Sequence, residues 1–349
     1  MERRSPCPGG PGRSAPRVLR AGADGEGDLD FAETVESCRG AANRGHVYRD
    51  RVEACDAGRN VLDYHALHFT HADVETWRGA IEQGLVRVNG VAASSARILR
   101  AGDELEFHRP PWIEPEAPVD FTVVHEDEHV LAVEKPAGLQ VLPAGPFLER
   151  TLWSRVRASD PSRVDSAPVH RLGRGTSGLV LFGKTKAARA ALSLQFRQCT
   201  PRKTYLALVT GCSLPDSFVA RQKIGRVAHG PLRIWVAAPN GKPSATRVRV
   251  LRRDEHRGLS LVAAQPITGR PDQIRIHLAA CGAPLAGDPL FGAGGGVISD
   301  ARPGEGGYRL HAARLRCEHP TGGWIRLRSE PPWPEGWSAR PQDRERSST

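Results

Sequence analysis

The sequence predicts an α+β protein: a domain with a mixed, largely antiparallel sheet, preceded by a small α/β unit. Three observations carry this. Short strand-like segments outnumber helical ones between residues 119 and 328, and several are linked by hairpin-sized turns. Two stretches there have obvious helical character, "TKAARAALSLQFRQ" near 185–198 and "DQIRIHLAAC" near 272–281. A helix-plus-hairpin pattern lies ahead of them, set apart by the Pro-rich "HRPPWIEPEAP".

The bounds agree. The chain has 349 residues, enough for one large domain or two smaller ones. Its apolar (39%) and charged (25%) content suits a soluble globular protein. The longest apolar run, "GLVLFG", is strand-sized, so no membrane partner is expected. The net charge is +10, with Arg outnumbering Lys. This favours a polyanionic partner, because guanidinium pairs bidentately with phosphate; an Arg-biased coding sequence gives the same composition. The 7 cysteines are dispersed and form no C-x-x-C, which argues against a disulfide framework or structural zinc and for a reducing intracellular compartment.

Along the chain, residues 1–50 read as a tail. Arg3 to Ala23 contains no acidic residue, which fits a chloroplast or mitochondrial transit peptide; a disordered basic tail of a cytoplasmic protein is the preferred reading. Residues 60–109 form the small unit. Val74, Trp77 and Ile81 mark one face of a helix ending at Gly84. "LVRVNGV" is a short strand with the hairpin signal Asn89-Gly90, and "LRAGDELEF" gives a turn at Ala101–Asp103 and a strand with Leu105 and Phe107 inward. His65, His68 and His71 recur every third residue; with no nearby Cys to complete a tetrahedral set, they are expected on a solvated face. Beyond the linker, "FTVVHEDEHVLAVEKPAGLQVLPA" reads as two strands around an acidic turn, ending at Glu134-Lys135-Pro136. Residues 331–349 read as a disordered tail.

"GLVLFGKT", residues 178–185, matches the phosphate-binding-loop pattern literally. Its Leu-Val-Leu-Phe centre demands a buried strand, whose N–H groups point sideways into a ladder rather than at one anion. The nucleotide-binding reading is set aside.

Four segments carry the functional reading: "EKPAGL" (134–139), "HRLGRGTSG" (170–178), "RKTYLALVTG" (202–211) and "TGRPDQIRIHLAACGAPLAGDPLFG" (268–292). In this order they resemble the RluA family of RNA pseudouridine synthases, and "LHAARLRCEHPTGG" (310–323) resembles its closing strand. "HRLGRGTSG", "GLQVLP" and the "PW-x-E-P" segment are similar to an organellar, plant-type branch. The 60–109 unit resembles an S4 RNA-binding domain. The resemblance implies a pseudouridine synthase catalytic domain over 119–330 that isomerises uridine in RNA, with no cofactor and no metal. The partner it implies is a tRNA or ribosomal RNA, and a monomer is expected. The target base is flipped into the pocket at a cost that phosphate contacts must offset.

The resemblance also implies roles. Tyr205 offers uracil an aromatic face and a hydroxyl, and Arg275 pairs with the catalytic carboxylate. Arg171, Arg174, Arg202, Lys203, Lys135 and Gln273 are expected to contact RNA. Thr176 and Ser177 are expected to close their loop by local hydrogen bonds. In the family the residue after "HRL" is an aspartate that does the chemistry. Here it is Gly173, with no side chain, and Arg275 is left without that partner. Where the family commonly has a His before "QIR", this chain has Asp272. Asp272 either supplies the missing carboxylate near Arg275 or favours the N-terminus of its helix. Two functions stay open: an active isomerase, or a non-catalytic RNA-binding protein of the same fold.

Overall fold

The computed structural model describes residues 20–21, 42–229, 232–298 and 307–333. The chain divides into two units, Met1–Ile113 and Glu114–Thr349.

Among its described residues the first unit has five strands: β1 (Arg20–Ala21), β2 (His46–Arg51), β3 (Val86–Val88), β4 (Val91–Ala92) and β5 (Glu104–Arg109), in the order β1-β2-β5-β3-β4. Helices α1 (Val61–His68) and α2 (Val74–Glu82) complete it. Asn89 and Gly90 both take positive φ (52° and 79°), the backbone a two-residue hairpin turn requires. Trp77 and Ile81 of α2 bury against Val86, Val88 and Leu105, with Phe107 packed alongside. Val74 is exposed, unlike its expected face-mates, because it sits at the helix start beside the capping Asp73.

Two expectations are corrected here. The tail was expected to run to residue 50, yet β2 pairs with β5 from His46↔Arg109 to Arg51↔Glu104. Residues 1–19 and 22–41, where the transit-peptide reading falls, and 334–349 lie outside the described residues. His65 and His68 are not solvated: they are 1% and 6% exposed, packed among Tyr64, Phe69 and Trp77. α1 buries residues on several sides, so its histidines belong to the core. His65 Nδ1 donates to the Val61 carbonyl (2.8 Å), and burial pushes its pKa down to about 4. Among the described residues no His/Cys/Asp/Glu group could hold a metal ion.

The second unit carries β6 (Thr122–Glu126), β7 (Val130–Lys135), α3 (Leu152–Ser159), β8 (Ala167–Pro168), β9 (Ser177–Gly183) and α4 (Lys186–Arg197). Then follow β10 (Arg202–Thr210), β11 (Ser217–Ala220), β12 (Ile224–His229), β13 (Leu232–Ala237), β14 (Thr246–Asp254) and β15 (Leu259–Pro266). Last come α5 (Gln273–Ala280), β16 (Leu310–Glu318) and β17 (Trp324–Arg328). The main sheet runs β11-β14-β15-β10-β16-β9-β7-β6, with β17 added to β16 and β8 to β9; β12 and β13 form a separate pair. Among these strand pairs only β9–β16 is parallel, so the sheet is mixed and largely antiparallel. At that crossing Gly178 has φ 105°, and a Cβ there would meet the Ala312 carbonyl oxygen at 2.5 Å, so only glycine fits.

α5 packs Ile274 and Leu278 against Val262, Ala264 and Leu310 on one face of the sheet, and α4 packs Leu192 against Leu181, Leu315 and Leu327 on the other. The "GLVLFGKT" stretch is the buried strand β9, laddered to β7, and Thr185 caps α4 by accepting from Ala188 N (3.1 Å). Glu114, in the Pro-rich linker, is buried and accepts from the backbone N–H groups of Leu148, Glu149 and Arg150 (2.8–2.9 Å). Among the described residues no helix is long and apolar enough to cross a membrane.

Candidate active site

The site assembles where the "HRLGRGTSG" loop, strand β10, the start of α5 and the chain entering β16 meet. The loop is held first. Lys135, at the end of β7, is fully buried and donates from Nζ to the carbonyls of Pro136 (2.8 Å), Leu139 (2.7 Å) and Arg174 (3.1 Å). Burial lowers its pKa to about 7. This corrects the RNA-contact expectation for Lys135: all three donors are used on protein carbonyls, and the ammonium clamps two site loops together. Within the loop Thr176 N donates to the Gly173 carbonyl (3.0 Å), the local closure expected of it. Ser177, expected to close the loop locally, is instead buried and bonded to His311 Nδ1 (2.9 Å) in the core, because its side chain lies under the β9–β16 pairing. His170 stacks on Phe196 and accepts from Leu181 N (3.1 Å), and burial lowers its pKa to about 3, which leaves it a neutral structural acceptor.

Gly173 has no positive φ, so its backbone admits other residues. What fills the space is Tyr308. A Cβ at 173 would lie 2.9 Å from the Tyr308 hydroxyl and 3.4 Å from Thr176 Oγ1, and those two oxygens are themselves 3.2 Å apart. Burial raises the Tyr308 pKa, with nearby Arg275 opposing it.

Arg275 is 4% exposed, and its guanidinium stacks on Tyr308 (4.3 Å) and Phe291 (4.9 Å). It is not left without an acid. Nε and Nη2 donate bidentately to Asp288 (2.8 Å each), and Nη1 donates to Asp272 Oδ1 (2.9 Å). Burial opposes the charge, but these two carboxylates hold the guanidinium firmly protonated.

The two acids differ. The Asp288 side chain is 1% exposed and its Oδ1 also accepts from Leu290 N and Phe291 N, so four donors in all hold it between Arg275 and that loop. The Asp272 side chain is 33% exposed, and its Oδ2 receives no donor among the described residues. Asp272 sits at the helix N-cap yet makes no capping hydrogen bond, and its φ is +51°. A left-handed non-glycine residue is unusual and carries a strain of about 1–3 kcal/mol. Any benefit of Asp272 to the start of α5 is therefore electrostatic rather than a capping hydrogen bond.

Tyr205 lies on β10 where the β10–β16 register shifts between Thr204 and Tyr205. It packs beside Leu172 and Ala312, next to the Gly173 loop. Burial pushes its hydroxyl up to about 12, so at neutral pH it is a donor, not a phenolate. Gln273, expected at RNA, is 4% exposed and spends its amide on Thr268, Arg270, Ala245 and Thr246; it fixes the entry to α5 and does not face RNA. Arg171 and Arg202 are exposed; Arg174 is half-buried over Phe147 (5.4 Å), and Lys203 is half-buried over Phe196 (5.7 Å). The reading of the sequence missed Asp288 and Tyr308.

The comparisons with known proteins bear on this geometry directly. The family model described as RNA pseudouridylate synthase matches residues 129–280. An uncharacterized RNA pseudouridine synthase of Synechocystis sp. is 40% identical over 262 residues, covering 74% of this chain and 89% of that protein. The chain belongs to the RluA family of RNA pseudouridine synthases. A dual-specificity RNA pseudouridine synthase RluA of Vibrio vulnificus is 35% identical over 230 residues, 64% of this chain and 85% of its own. The solved structure of human RNA pseudouridylate synthase domain containing 1 superposes with a TM-score of 0.52 at 26% identity, covering 64% of this chain and 89% of that one. This RluA-family synthase thus has the family's fold, and its own chain carries glycine at the position after "HRL".

Proposed function

We propose that this synthase isomerises uridine to pseudouridine in structured RNA, a tRNA or ribosomal RNA, and that Asp272 supplies the carboxylate that residue 173 lacks. The observation that carries the reading is the Asp272–Arg275 pair: a carboxylate 2.9 Å from the site arginine, one-third exposed, with one oxygen without a protein donor. The reaction breaks the N1–C1′ bond, forms C5–C1′, releases the C5 proton and places a proton on the freed N1, so reactant and product are isomers. It calls for a carboxylate able to act at the sugar or to accept that proton. Asp288 is spent on Arg275 and two backbone N–H groups; Asp272 is not. Tyr205 packs against the flipped uracil and donates its hydroxyl, and Arg171 and Arg202 meet phosphate. The first unit, with α1, α2 and the Asn89-Gly90 hairpin, serves as an S4-like RNA-binding module.

The test is nucleoside analysis of RNA incubated with wild type and with Asp272→Asn. Asparagine also tolerates left-handed backbone, so the variant changes the charge and little else. Pseudouridine formed by wild type and lost in the variant supports the reading; equal yields from both remove Asp272 from the chemistry. The second reading, a non-catalytic RNA-binding protein of the same fold, rests on the Tyr308 hydroxyl filling the space beside Gly173. It predicts no pseudouridine from either protein.

A further inference from the structure

Strands β10, β16 and β17 place arginines directly opposite one another. Arg316 pairs with Arg202 on one side and with Arg326 on the other, and Arg314 pairs with Arg328 in the next row. Leu315, Cys317, Ile325 and Leu327 point the other way, into the core under α4, so these arginines share the opposite face. Arg202, Arg326 and Arg328 are exposed, and Arg314 and Arg316 are half-buried. Trp324, across from Glu318 at the end of the same row, is 54% exposed, with the Arg316 guanidinium over its ring at 4.2 Å.

Like charges directly opposite on a sheet are destabilising. Among the described residues Arg202, Arg316, Arg326 and Arg328 form no ion pair, and Arg316 Nε is buried without a hydrogen-bond partner. The acids nearest in sequence are Glu318, at the far end, and Glu330, two residues past β17. The row Arg202–Arg316–Arg326 thus has no acidic partner among the described residues, which suits a ligand with several regularly spaced negative charges. The exposed indole beside it gives a nucleobase a ring to stack on.

We propose that the β10–β16–β17 arginine rows with Trp324 form a track for a single-stranded RNA segment flanking the target uridine. That the segment flanks a target uridine rests on the isomerase reading above. Arg202 is three residues from Tyr205 along β10, on the order of 10 Å at strand rise. Phosphates lie over the arginines and a base stacks on Trp324. The site does not read sequence, because stacking and phosphate contacts carry little base information.

The experiment is fluorescence anisotropy of a labelled single-stranded oligouridylate with the full chain, titrated across salt concentrations. The variants are Arg202→Gln/Arg326→Gln/Arg328→Gln, Trp324→Ala, and a charge-matched control, Arg247→Gln/Arg249→Gln/Arg253→Gln on β14. Circular dichroism confirms that each is folded. The triple variant on the rows is expected to flatten the salt slope by roughly 2, at about 0.7 per phosphate contact on a single strand. Trp324→Ala is expected to weaken binding roughly tenfold with the slope unchanged. If the control triple flattens the slope as much, or if Trp324→Ala binds like wild type, the track is overturned. Binding needs no turnover, so a track seen in a protein that makes no pseudouridine leaves this inference standing and refutes only the isomerase reading.

Discussion

Restoring the family's aspartate, Gly173→Asp, should damage this protein rather than improve it. Backbone strain is not the reason, since φ at 173 is not positive. The new Cβ would lie 2.9 Å from the Tyr308 hydroxyl, closer than folded proteins tolerate, so the tyrosine must move. Overpacking of this kind costs about 1–3 kcal/mol. Displacing Tyr308 also breaks its 3.2 Å hydrogen bond to Thr176, worth about 1 kcal/mol. No electrostatic gain offsets this, because Arg275 already takes Asp288 bidentately and Asp272 through Nη1. The sum is about 2–4 kcal/mol, and at roughly 2–4 °C per kcal/mol for a unit of this size Tm should fall by about 5–15 °C. The assay is a double-mutant cycle by thermal or urea unfolding with Tyr308→Phe. Removing the hydroxyl opens the space a side chain at 173 needs, so the double variant should be no less stable than Gly173→Asp alone. The coupling should be at least about 1 kcal/mol. A Gly173→Asp protein as stable as wild type, or a strictly additive cycle, would refute the reasoning.

Three further outcomes are expected. Asp288→Asn should destabilise the second unit by about 3–5 kcal/mol in urea unfolding, because it strips a buried guanidinium of its bidentate partner. Asp272→Asn should move Tm little, about 1 kcal/mol at most, since the Asp272 carboxylate is one-third exposed and Asp288 keeps the buried Arg275 paired, yet lower turnover by roughly 10²–10⁴-fold in single-turnover assays. Lys135 should leave a pH signature. Its folded pKa of about 7 lies below the ordinary lysine value of 10.5, so between the two the unfolded chain binds more protons and stability rises with pH. Wild type should therefore gain on Lys135→Met as pH rises from about 7 towards 10.5; a difference flat with pH would mean that the ammonium stays charged on its three carbonyls.

What the sequence made legible was local. The Asn89-Gly90 turn needs only two residues with positive φ, α4 shows one apolar stripe through Ala188 and Leu192, and α5, buried on all sides, was read from Ile274 and Leu278. α1 was missed because its polar histidines are interior, and α3 because its start signal is a lone Thr151 cap on Ser154 N. Lys135 and Gln273 were misread because a cation or amide inside a functional motif looks like an RNA contact, whereas burial turned both inward onto backbone. The substitute for the missing carboxylate was half visible. Asp272 stands inside a motif, but Tyr308 reaches residue 173 from 135 positions away, and no local pattern reports that packing. Asp288 had one signal, an Asp-Pro turn in "GDPLFG", where its carboxylate accepts from Leu290 N and Phe291 N.

The central claim is that this chain isomerises uridine without a carboxylate at residue 173. Tritium release tests it most directly: RNA labelled at uracil C5, from cells lacking the protein, is incubated with the purified wild-type chain. C5 must lose its hydrogen when it bonds to C1′, so the account predicts release that saturates with enzyme-dependent rate. No release from a folded wild-type protein that still binds the RNA would contradict it.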